Sequence, residues 1–186
     1  MDARAAGGQG ASLTAPITIC LHGPESTGKS TIAPRLAAHF GAHWVPEYGR
    51  TWSEANGTDF DMPALLEIAR VQDAMAAEAR ALDGSHLVLD TDPLMTAVWA
   101  DMLFGHRDRW FDAWSATADF YLLFDIDLPW IADGTRMFGD AGSRRRFLDL
   151  SRRELERRGM RWAWVRGAGE ARFGNALAAI EGAGLA

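Results

Sequence analysis

Residues Gly23 to Ser30 carry the spacing G-x-x-x-x-G-K-[ST], which is typical of a loop that binds nucleotide phosphates. Its glycines let several backbone N–H groups point inward, and the helix that follows adds the positive end of its dipole. In such a loop Lys29 reaches the β- and γ-phosphates of ATP, and the Ser30 hydroxyl can ligate Mg²⁺. The other residues expected to contact the phosphates here are Glu25, Ser26, Thr27, Gly28 and Thr31.

Three carboxylates follow segments that are predicted to be strands. Asp90 ends the apolar run Leu-Val-Leu, which is typical of an aspartate that holds Mg²⁺ through water. Because ligands bind at the carboxyl ends of parallel strands, Asp92 and Glu47 are candidates for the group that orients or deprotonates an acceptor hydroxyl. The alternative for both residues is a helix cap, and Asp92 fits it because Pro93 follows directly.

Arginines flank a glycine-containing loop at residues 133–142. An arginine on a loop that closes over a site can neutralise the charge of a transferred phosphoryl group and help to exclude water. We therefore expect Arg136 to act in catalysis, and Arg144 and Arg145 to contact ATP. A solvated helix face is the alternative, and it is preferred for the later arginines, which alternate with glutamates: Arg152, Arg153, Arg157 and Arg158.

The chain contains eight tryptophans, which is a high number for 186 residues. Trp44 and Trp52 lie near the end of the second predicted strand, where an indole ring could stack on a planar base or pyridine ring. Five others occupy apolar positions that are more typical of a protein core, namely Trp99, Trp110, Trp114, Trp162 and Trp164.

Predicted strands alternate with predicted helices along the chain. The strands are expected at residues 17–21, 42–45, 86–90, 120–124 and 161–166. The helices are expected at residues 31–40, 63–82, 93–104, 107–116, 143–158 and 170–180. This alternation predicts a three-layer α/β fold in which a parallel sheet carries helices on both faces. Residues 16–186 are expected to form one domain, preceded by a flexible tail rich in alanine and glycine at residues 1–15.

The composition excludes several classes of function. A net charge of −6 makes the chain a poor general partner for nucleic acid or an anionic membrane. The single cysteine, Cys20, cannot form an internal disulfide, and no apolar stretch approaches the length of a membrane span, so we expect a cytoplasmic protein. Because Lys29 is the only lysine, the chain cannot contain the Asn-Lys-x-Asp motif of GTPases.

Several motifs together resemble the nicotinamide riboside kinase domain of NadR-type proteins, a branch of the P-loop ATPases. They are the phosphate loop, Glu47-Tyr-Gly-Arg50, Leu89-Asp-Thr-Asp92, and Trp130-Ile-Ala-Asp-Gly-Thr-Arg136 followed by Arg145-Arg-Phe147. The resemblance covers residues 17–180. It implies a five-stranded parallel sheet of order 2-3-1-4-5 and transfer of the ATP γ-phosphate, with Mg²⁺, to the ribose 5′-hydroxyl of nicotinamide riboside. The product would be nicotinamide mononucleotide, an intermediate of NAD salvage. The substrate-binding residues implied are Trp44, Glu47, Tyr48, Arg50 and Asp92.

The chain departs from this family in two ways. It lacks the H-x-G-H motif of the adenylyltransferase domain and a helix-turn-helix segment, so we do not expect a full NadR protein. The position before Glu47 is Pro46, where the bifunctional enzymes tend to have an aromatic residue, and Trp44 is expected to point the same way on the strand. The alternatives are another nucleoside or nucleotide kinase on this scaffold, and a regulatory ATPase without a small acceptor.

Overall fold

A computed structural model describes residues 15–186 of the chain. The tail expected at residues 1–15 lies, except for Ala15, outside the described residues. The strands are β1 (Ile17–His22), β2 (His43–Val45), β3 (His86–Leu89), β4 (Phe120–Phe124) and β5 (Trp162–Val165). The helices are α1 (Lys29–Phe40), α2 (Tyr48–Asn56), α3 (Met62–Arg80), α4 (Pro93–Phe104), α5 (Arg109–Ala113), α6 (Ala141–Arg157) and α7 (Gly169–Gly182).

The five strands form one parallel sheet in the order β2-β3-β1-β4-β5, which confirms the predicted fold. The central strands are mostly apolar because both faces of the sheet are covered there, and β3 and β4 are buried at every position. One face, including Leu21 and Leu122, packs against α1 and α7. The opposite face, including Cys20 and Tyr121, packs against α3, α4 and α6.

One helix was not predicted from the sequence. Helix α2 has nine residues, contains Gly49 and buries only Ser53. A helix this short has little stability of its own, so its packing against α3 maintains it. The other predicted elements are present with shifted ends. The largest shift is in α5, which covers only Arg109–Ala113. Asp108 caps the start of this helix, because its carboxylate accepts a hydrogen bond from the Trp110 amide.

The prediction of a solvated arginine face on α6 was wrong in part, because the Arg158 side chain is only 14% exposed and pairs with Glu154, which is buried. Its carboxylate pairs with Arg157 and Arg158 on the same helix and with Arg107 from the loop before α5. These ion pairs tie α6 to the α4–α5 connection. Sequence alternation alone could not reveal them, since Arg107 is distant along the chain.

The parallel strands place their carboxyl ends along one edge of the sheet, as in other α/β proteins with ligand sites. The phosphate-loop motif follows β1, Glu47 follows β2 closely, and Asp90 follows β3 directly. Among the helices in residues 15–186, none combines the length and the hydropathy that crossing a membrane requires.

Candidate active site

The loop between β1 and α1 has backbone geometry that requires glycine. Gly23 has a φ of 123°, and a Cβ atom added there would lie 2.8 Å from the backbone oxygen of Phe124. Gly28 has a φ of 85° and the left-handed conformation that leads into α1. Ser26 also has a positive φ, of 57°. The glycines of the motif are therefore explained by the shape of the loop.

The Lys29 ammonium lies inside this loop. Its Nζ donates hydrogen bonds to the backbone oxygens of Gly23 and Pro24, each at 2.7 Å. Burial lowers the pKa of Lys29, while the charges of Glu47 and Asp90 act in the opposite direction. The ammonium is thus held by two carbonyl oxygens at the place where phosphate oxygens would be expected to replace them.

Two cavities adjoin at the carboxyl edge of the sheet. The first, here called the phosphate cavity, is lined by the loop residues from Gly23 to Thr31 except Pro24, together with Arg136. The second, here called the acceptor cavity, lies among α2, α3 and α4. Five residues line both cavities: Glu25, Glu47, Arg50, Met95 and Trp99. Two groups bound in these cavities would therefore meet beside Glu47.

Glu47 lies at the N-cap position of α2, yet its side chain makes no capping hydrogen bond. Its carboxylate instead lines both cavities. Burial, with a further contribution from the negative charge of Asp90, raises the pKa of Glu47 from 4.5 to about 7. A carboxylate with this pKa can accept a proton from a hydroxyl at neutral pH.

The backbone around Glu47 is held by one buried side chain that the sequence did not single out. Gln72 of α3 accepts a hydrogen bond at Oε1 from the Tyr48 amide at 2.8 Å. Its Nε2 donates to the Pro46 carbonyl oxygen at 3.2 Å. Gln72 therefore fixes the residues on both sides of Glu47. Because the contact joins positions far apart in sequence, no local pattern could have indicated it.

Asp90 provides oxygen atoms that fit a magnesium ion. The side chain is buried, and its Oδ1 has no hydrogen-bond partner among residues 15–186. Burial raises the pKa of Asp90, whereas the neighbouring Ser30 side chain and the charge of Lys29 lower it. Proteins usually bind Mg²⁺ through one or two carboxylates and substrate phosphates, so the pair of Asp90 and Ser30 fits this ion. Across the same described range, no cluster of three or more His, Cys, Asp or Glu side chains could hold a metal.

Asp92 lies outside the lining of both cavities. Its Oδ1 accepts a hydrogen bond from the Leu94 amide at 3.0 Å, and its Oδ2 accepts one from the Tyr121 hydroxyl at 2.5 Å. Burial raises the pKa of Asp92 to about 6. These contacts match the helix-cap alternative, and the structure does not bring Asp92 together with Glu47 in the acceptor cavity.

The loop at residues 129–139, here called the lid, lies against the phosphate loop. The Ser26 hydroxyl accepts a hydrogen bond from the Ile131 amide at 2.9 Å. Glu25 accepts one from the Met137 amide at 3.1 Å, and burial raises the pKa of this carboxyl. Arg136 on the lid lines the phosphate cavity. Loop and lid are thus joined by side chains that were predicted to contact ATP.

The other predicted arginines lie elsewhere. Arg144 donates to the Leu128 carbonyl oxygen at 3.0 Å and lies over the Trp130 ring, so it supports the start of the lid. Arg145 is exposed and lines a separate surface groove on α6. Neither residue lines the phosphate cavity. Arg136 is therefore the predicted lid arginine that the structure brings to the phosphate loop.

The predicted substrate residues divide in the same way. Arg50 lines both cavities, whereas Tyr48 packs into the core that α3 and α4 form. Trp44 is 41% exposed and lines neither cavity. Trp44 pairs in register with Val88, which belongs to the core on the α1 side of the sheet. Its side chain therefore lies on the face opposite α3 and the acceptor cavity.

The aromatic rings of the acceptor cavity are Phe60 and Trp99. Their centroids are 6.0 Å apart, and Trp52 stacks behind Phe60 at 5.3 Å. Trp99 packs against two groups of core residues, as predicted, and in addition it lines both cavities. Helix α4 is apolar on nearly every side, so its sequence gave no periodicity that separates a cavity-facing position from a core position.

Arg172 of α7 is a second residue that the sequence did not single out. It is 2% exposed, and its guanidinium donates to Asp127 Oδ1 at 2.5 Å and to the Asp125 backbone oxygen at 2.7 Å. Its side chain also lies within 3.8 Å of the position that a Cβ atom on Gly28 would occupy. Arg172 therefore supports the phosphate loop from behind.

The chain is similar in sequence to two curated proteins. The trifunctional NAD biosynthesis/regulator protein NadR of Salmonella typhimurium is 28% identical over 144 residues, which cover 72% of this chain and 34% of that protein. The chain thus spans about a third of the length of the curated relatives it matches. The resemblance to NadR-type proteins expected from the motifs is confirmed.

Solved structures show the same fold. A crystal structure of NadR protein in complex with NAD and AMP-PNP has a TM-score of 0.69 at 22% identity, covering 92% of this chain and 50% of that one. A NadR structure in complex with NR has a TM-score of 0.68 at 22% identity, covering 90% and 50%. Deoxyadenosine kinase from M. mycoides has a TM-score of 0.65 at 9% identity, covering 89% and 99%.

The similarity to these structures covers nearly the whole described chain, which therefore has the P-loop kinase fold. In addition, the sequence profile of a family described as AAA domain matches residues 18–172, which is more than half of the chain. The match contains the phosphate loop, both cavities and the lid. The chain therefore belongs to the AAA domain family.

Proposed function

We propose that the protein is an ATP-dependent kinase that phosphorylates the ribose 5′-hydroxyl of nicotinamide riboside and yields nicotinamide mononucleotide. The observation that carries this proposal is the meeting of the phosphate and acceptor cavities at Glu47. A kinase needs a terminal phosphate and an acceptor hydroxyl beside one another, with a proton acceptor at their junction. The likeness to NadR proteins supports the choice of acceptor.

The phosphate cavity would hold the triphosphate of ATP. Backbone N–H groups of the loop and the N-terminal end of α1 supply donors, and the Lys29 ammonium supplies a positive charge. Arg136 lines the same cavity from the lid, where it can neutralise charge on the transferred phosphoryl group. Lid contacts with Glu25 and Ser26 help to keep water from this group.

Asp90 and Ser30 would hold Mg²⁺ next to the phosphates. The ion, when bound, would neutralise negative charge on the β- and γ-phosphate oxygens. The buried Oδ1 of Asp90 supports this assignment, because it has no hydrogen-bond partner in the described part of the chain, and such a carboxylate oxygen is costly without a cation.

Glu47 would orient the acceptor hydroxyl and accept its proton. This assignment is preferred over Asp92, since both oxygens of Asp92 are hydrogen-bonded away from the cavities. The raised pKa of Glu47 supports a role in proton transfer at neutral pH. Gln72 keeps the residue in position by holding its two neighbours.

The charges of the acceptor cavity favour a nucleoside over a nucleotide. Its charged residues are Glu25, Glu47 and Arg50, and Arg50 is already paired with Asp133 of the lid. A nucleotide monophosphate would place two negative charges beside two carboxylates without a free cation among the lining residues. A positively charged pyridinium ring suits these carboxylates, and the aromatic faces of Phe60 and Trp99 favour a planar cation.

The test is a transfer assay with MgATP and a panel of purified acceptors, in which products are identified by mass spectrometry. We expect nicotinamide mononucleotide and ADP in equal amounts, with a higher kcat/KM than for adenosine, cytidine, thymidine or thymidine monophosphate. A preference for another nucleoside would contradict nicotinamide riboside as the acceptor and leave the kinase proposal in place. If the rate of ATP hydrolysis is the same with every acceptor, the kinase proposal is contradicted and a regulatory ATPase is favoured.

A further inference from the structure

Asp133 of the lid pairs with two arginines that line the cavities of the site. Its Oδ2 is 3.0 Å from Arg50 Nη1 and 3.1 Å from Arg136 Nε. Arg50 belongs to α2 and lines both cavities, whereas Arg136 lines the phosphate cavity. Asp133 itself lines neither cavity. Its carboxylate therefore lies between two site residues without being placed to contact a ligand.

The second carboxylate oxygen shapes the lid itself. Asp133 Oδ1 accepts hydrogen bonds from the Thr135 amide at 3.1 Å, the Thr135 hydroxyl at 3.0 Å and the Arg136 amide at 3.1 Å. Thr135 lines the acceptor cavity. One exposed carboxylate thus fixes a turn that supplies one residue to each cavity.

The electrostatics agree with a strongly held carboxylate. Although partial burial alone would raise the pKa of Asp133, hydrogen bonds from Thr135 and Arg50 and the charge of Arg136 lower it to about 2. The group stays ionised at any pH at which the enzyme would be assayed. Two arginines held this close together repel each other, and a carboxylate between them offsets this repulsion.

We infer that Asp133 is a positioning residue. When an acceptor occupies the acceptor cavity, Asp133 holds Arg136 in place beside the transferred phosphoryl group. The inference rests on the proposed function for its kinetic consequences. An acceptor that contacts Arg50 restrains Asp133, and Asp133 restrains Arg136 through the ion pair and the turn. Without an acceptor, Arg136 is held less firmly, and transfer of the phosphoryl group to water stays slow.

The kinetic test compares Asp133→Asn with wild type. Asparagine keeps the shape and a carbonyl acceptor but removes the charge that holds both arginines. We expect kcat to fall roughly 10- to 100-fold, because a small displacement of a catalytic group has an effect of this size. The KM for ATP should change less than about threefold, since the phosphate loop keeps its donors.

The matched control is Asp140→Asn. Asp140 is an exposed carboxylate just beyond the lid that caps α6 through the Ser143 amide at 2.9 Å, and asparagine caps helices equally well. This variant should leave kcat within about twofold of wild type. An Asp133→Asn enzyme with the same kcat as the control would overturn the inference.

A double-mutant cycle with Arg136→Gln tests whether Asp133 acts through that arginine. If it does, adding Asp133→Asn to Arg136→Gln should lower kcat by less than about threefold, because the shared partner is already absent. A loss in the double variant equal to the product of the two single losses would contradict the coupling.

A third measurement needs no turnover. Trypsin must bind the Arg136 side chain to cleave after it, and in wild type this side chain is engaged by Asp133. Without ligands, cleavage after Arg136 should be at least about fivefold faster in Asp133→Asn, because a neutral partner holds a guanidinium more weakly, and unchanged in Asp140→Asn. Equal rates in wild type and Asp133→Asn would overturn the inference. If cleavage is faster in Asp133→Asn but the wild-type protein does not phosphorylate nicotinamide riboside, the positioning role is supported and the proposed acceptor is contradicted.

Discussion

Two regions of the molecule enclose carboxylates beside cationic side chains, and the pKa values of these carboxylates are shifted in opposite directions. At Glu154, burial alone would raise the pKa, but hydrogen bonds from Arg157 and the charge of Arg107 lower it to about 2. At the junction of the cavities, burial raises the pKa of Glu47 to about 7, and Asp90 keeps an oxygen that no other described residue contacts by a hydrogen bond. A structural charge cluster is satisfied within the protein, whereas this site leaves oxygen atoms available for a ligand.

Removing the Lys29 ammonium should have the largest effect in the molecule. In Lys29→Ala, kcat/KM should fall roughly 10³-fold, because a buried charge aimed at the transferred phosphate is lost. Arg35→Ala is the control, since Arg35 also lies on α1 but pairs with Glu170 on the surface. It should retain wild-type kinetics. Steady-state assays of both variants measure this, and substantial turnover in Lys29→Ala would contradict the assignment of the loop.

Neutralising Glu47 should have the next largest effect on rate. Glu47→Gln should lower kcat roughly 10²-fold or more, because the proton acceptor is lost. In wild type, kcat/KM should rise with pH through about 7, since the carboxyl must lose its proton to act as a base. The variant should lack this rise. An identical pH profile in the two enzymes would assign the titration to another group.

At Glu154 the comparison predicts a loss of stability without a loss of rate. Glu154→Gln should lower the free energy of unfolding at pH 7 by about 3 kcal/mol, because three arginines lose a buried partner. The folded-state pKa of about 2 lies below the ordinary 4.5, so this stability is present above pH 4.5 and is lost as the pH falls toward 2. Urea unfolding of both proteins across this range should show their difference shrinking, while kcat at pH 7 stays unchanged.

Asp92 gives the smallest expected effect and separates a cap from a base. Asp92→Asn keeps a side chain that can cap α4 but weakens the bond with the Tyr121 hydroxyl, so stability should fall by about 1 kcal/mol. The rate should fall less than about threefold at a temperature well below unfolding, because the structure leaves Asp92 outside both cavities. A 100-fold loss of kcat without a loss of stability would restore Asp92 as the base.

The sequence was sufficient for the fold because the signals are local. Apolar strands alternate with helices, and the phosphate loop has a spacing that is typical of a strand–loop–helix arrangement. Helix α2 was missed because it depends on packing against α3. Strand periodicity also could not tell which sheet face the acceptor cavity occupies, so Trp44 was expected on the wrong side.

The site was less predictable because its contacts join distant segments. Glu25 meets the Met137 amide across 112 positions, and Gln72 reaches both neighbours of Glu47 from another helix. Among the candidate arginines of the lid region, only the folded chain shows that Arg136 faces the phosphate cavity and Arg145 does not. Residue type indicated the chemistry, and the tertiary fold decided which members of each type can perform it.

The most direct measurement is a crystal structure with Mg²⁺, a non-hydrolysable ATP analogue and nicotinamide riboside bound together. The account predicts the terminal phosphate at Lys29 and Arg136, and the ribose 5′-hydroxyl within about 3.2 Å of the Glu47 carboxylate. A hydroxyl bound beside Asp92, or a riboside bound away from the junction of the two cavities, would contradict it.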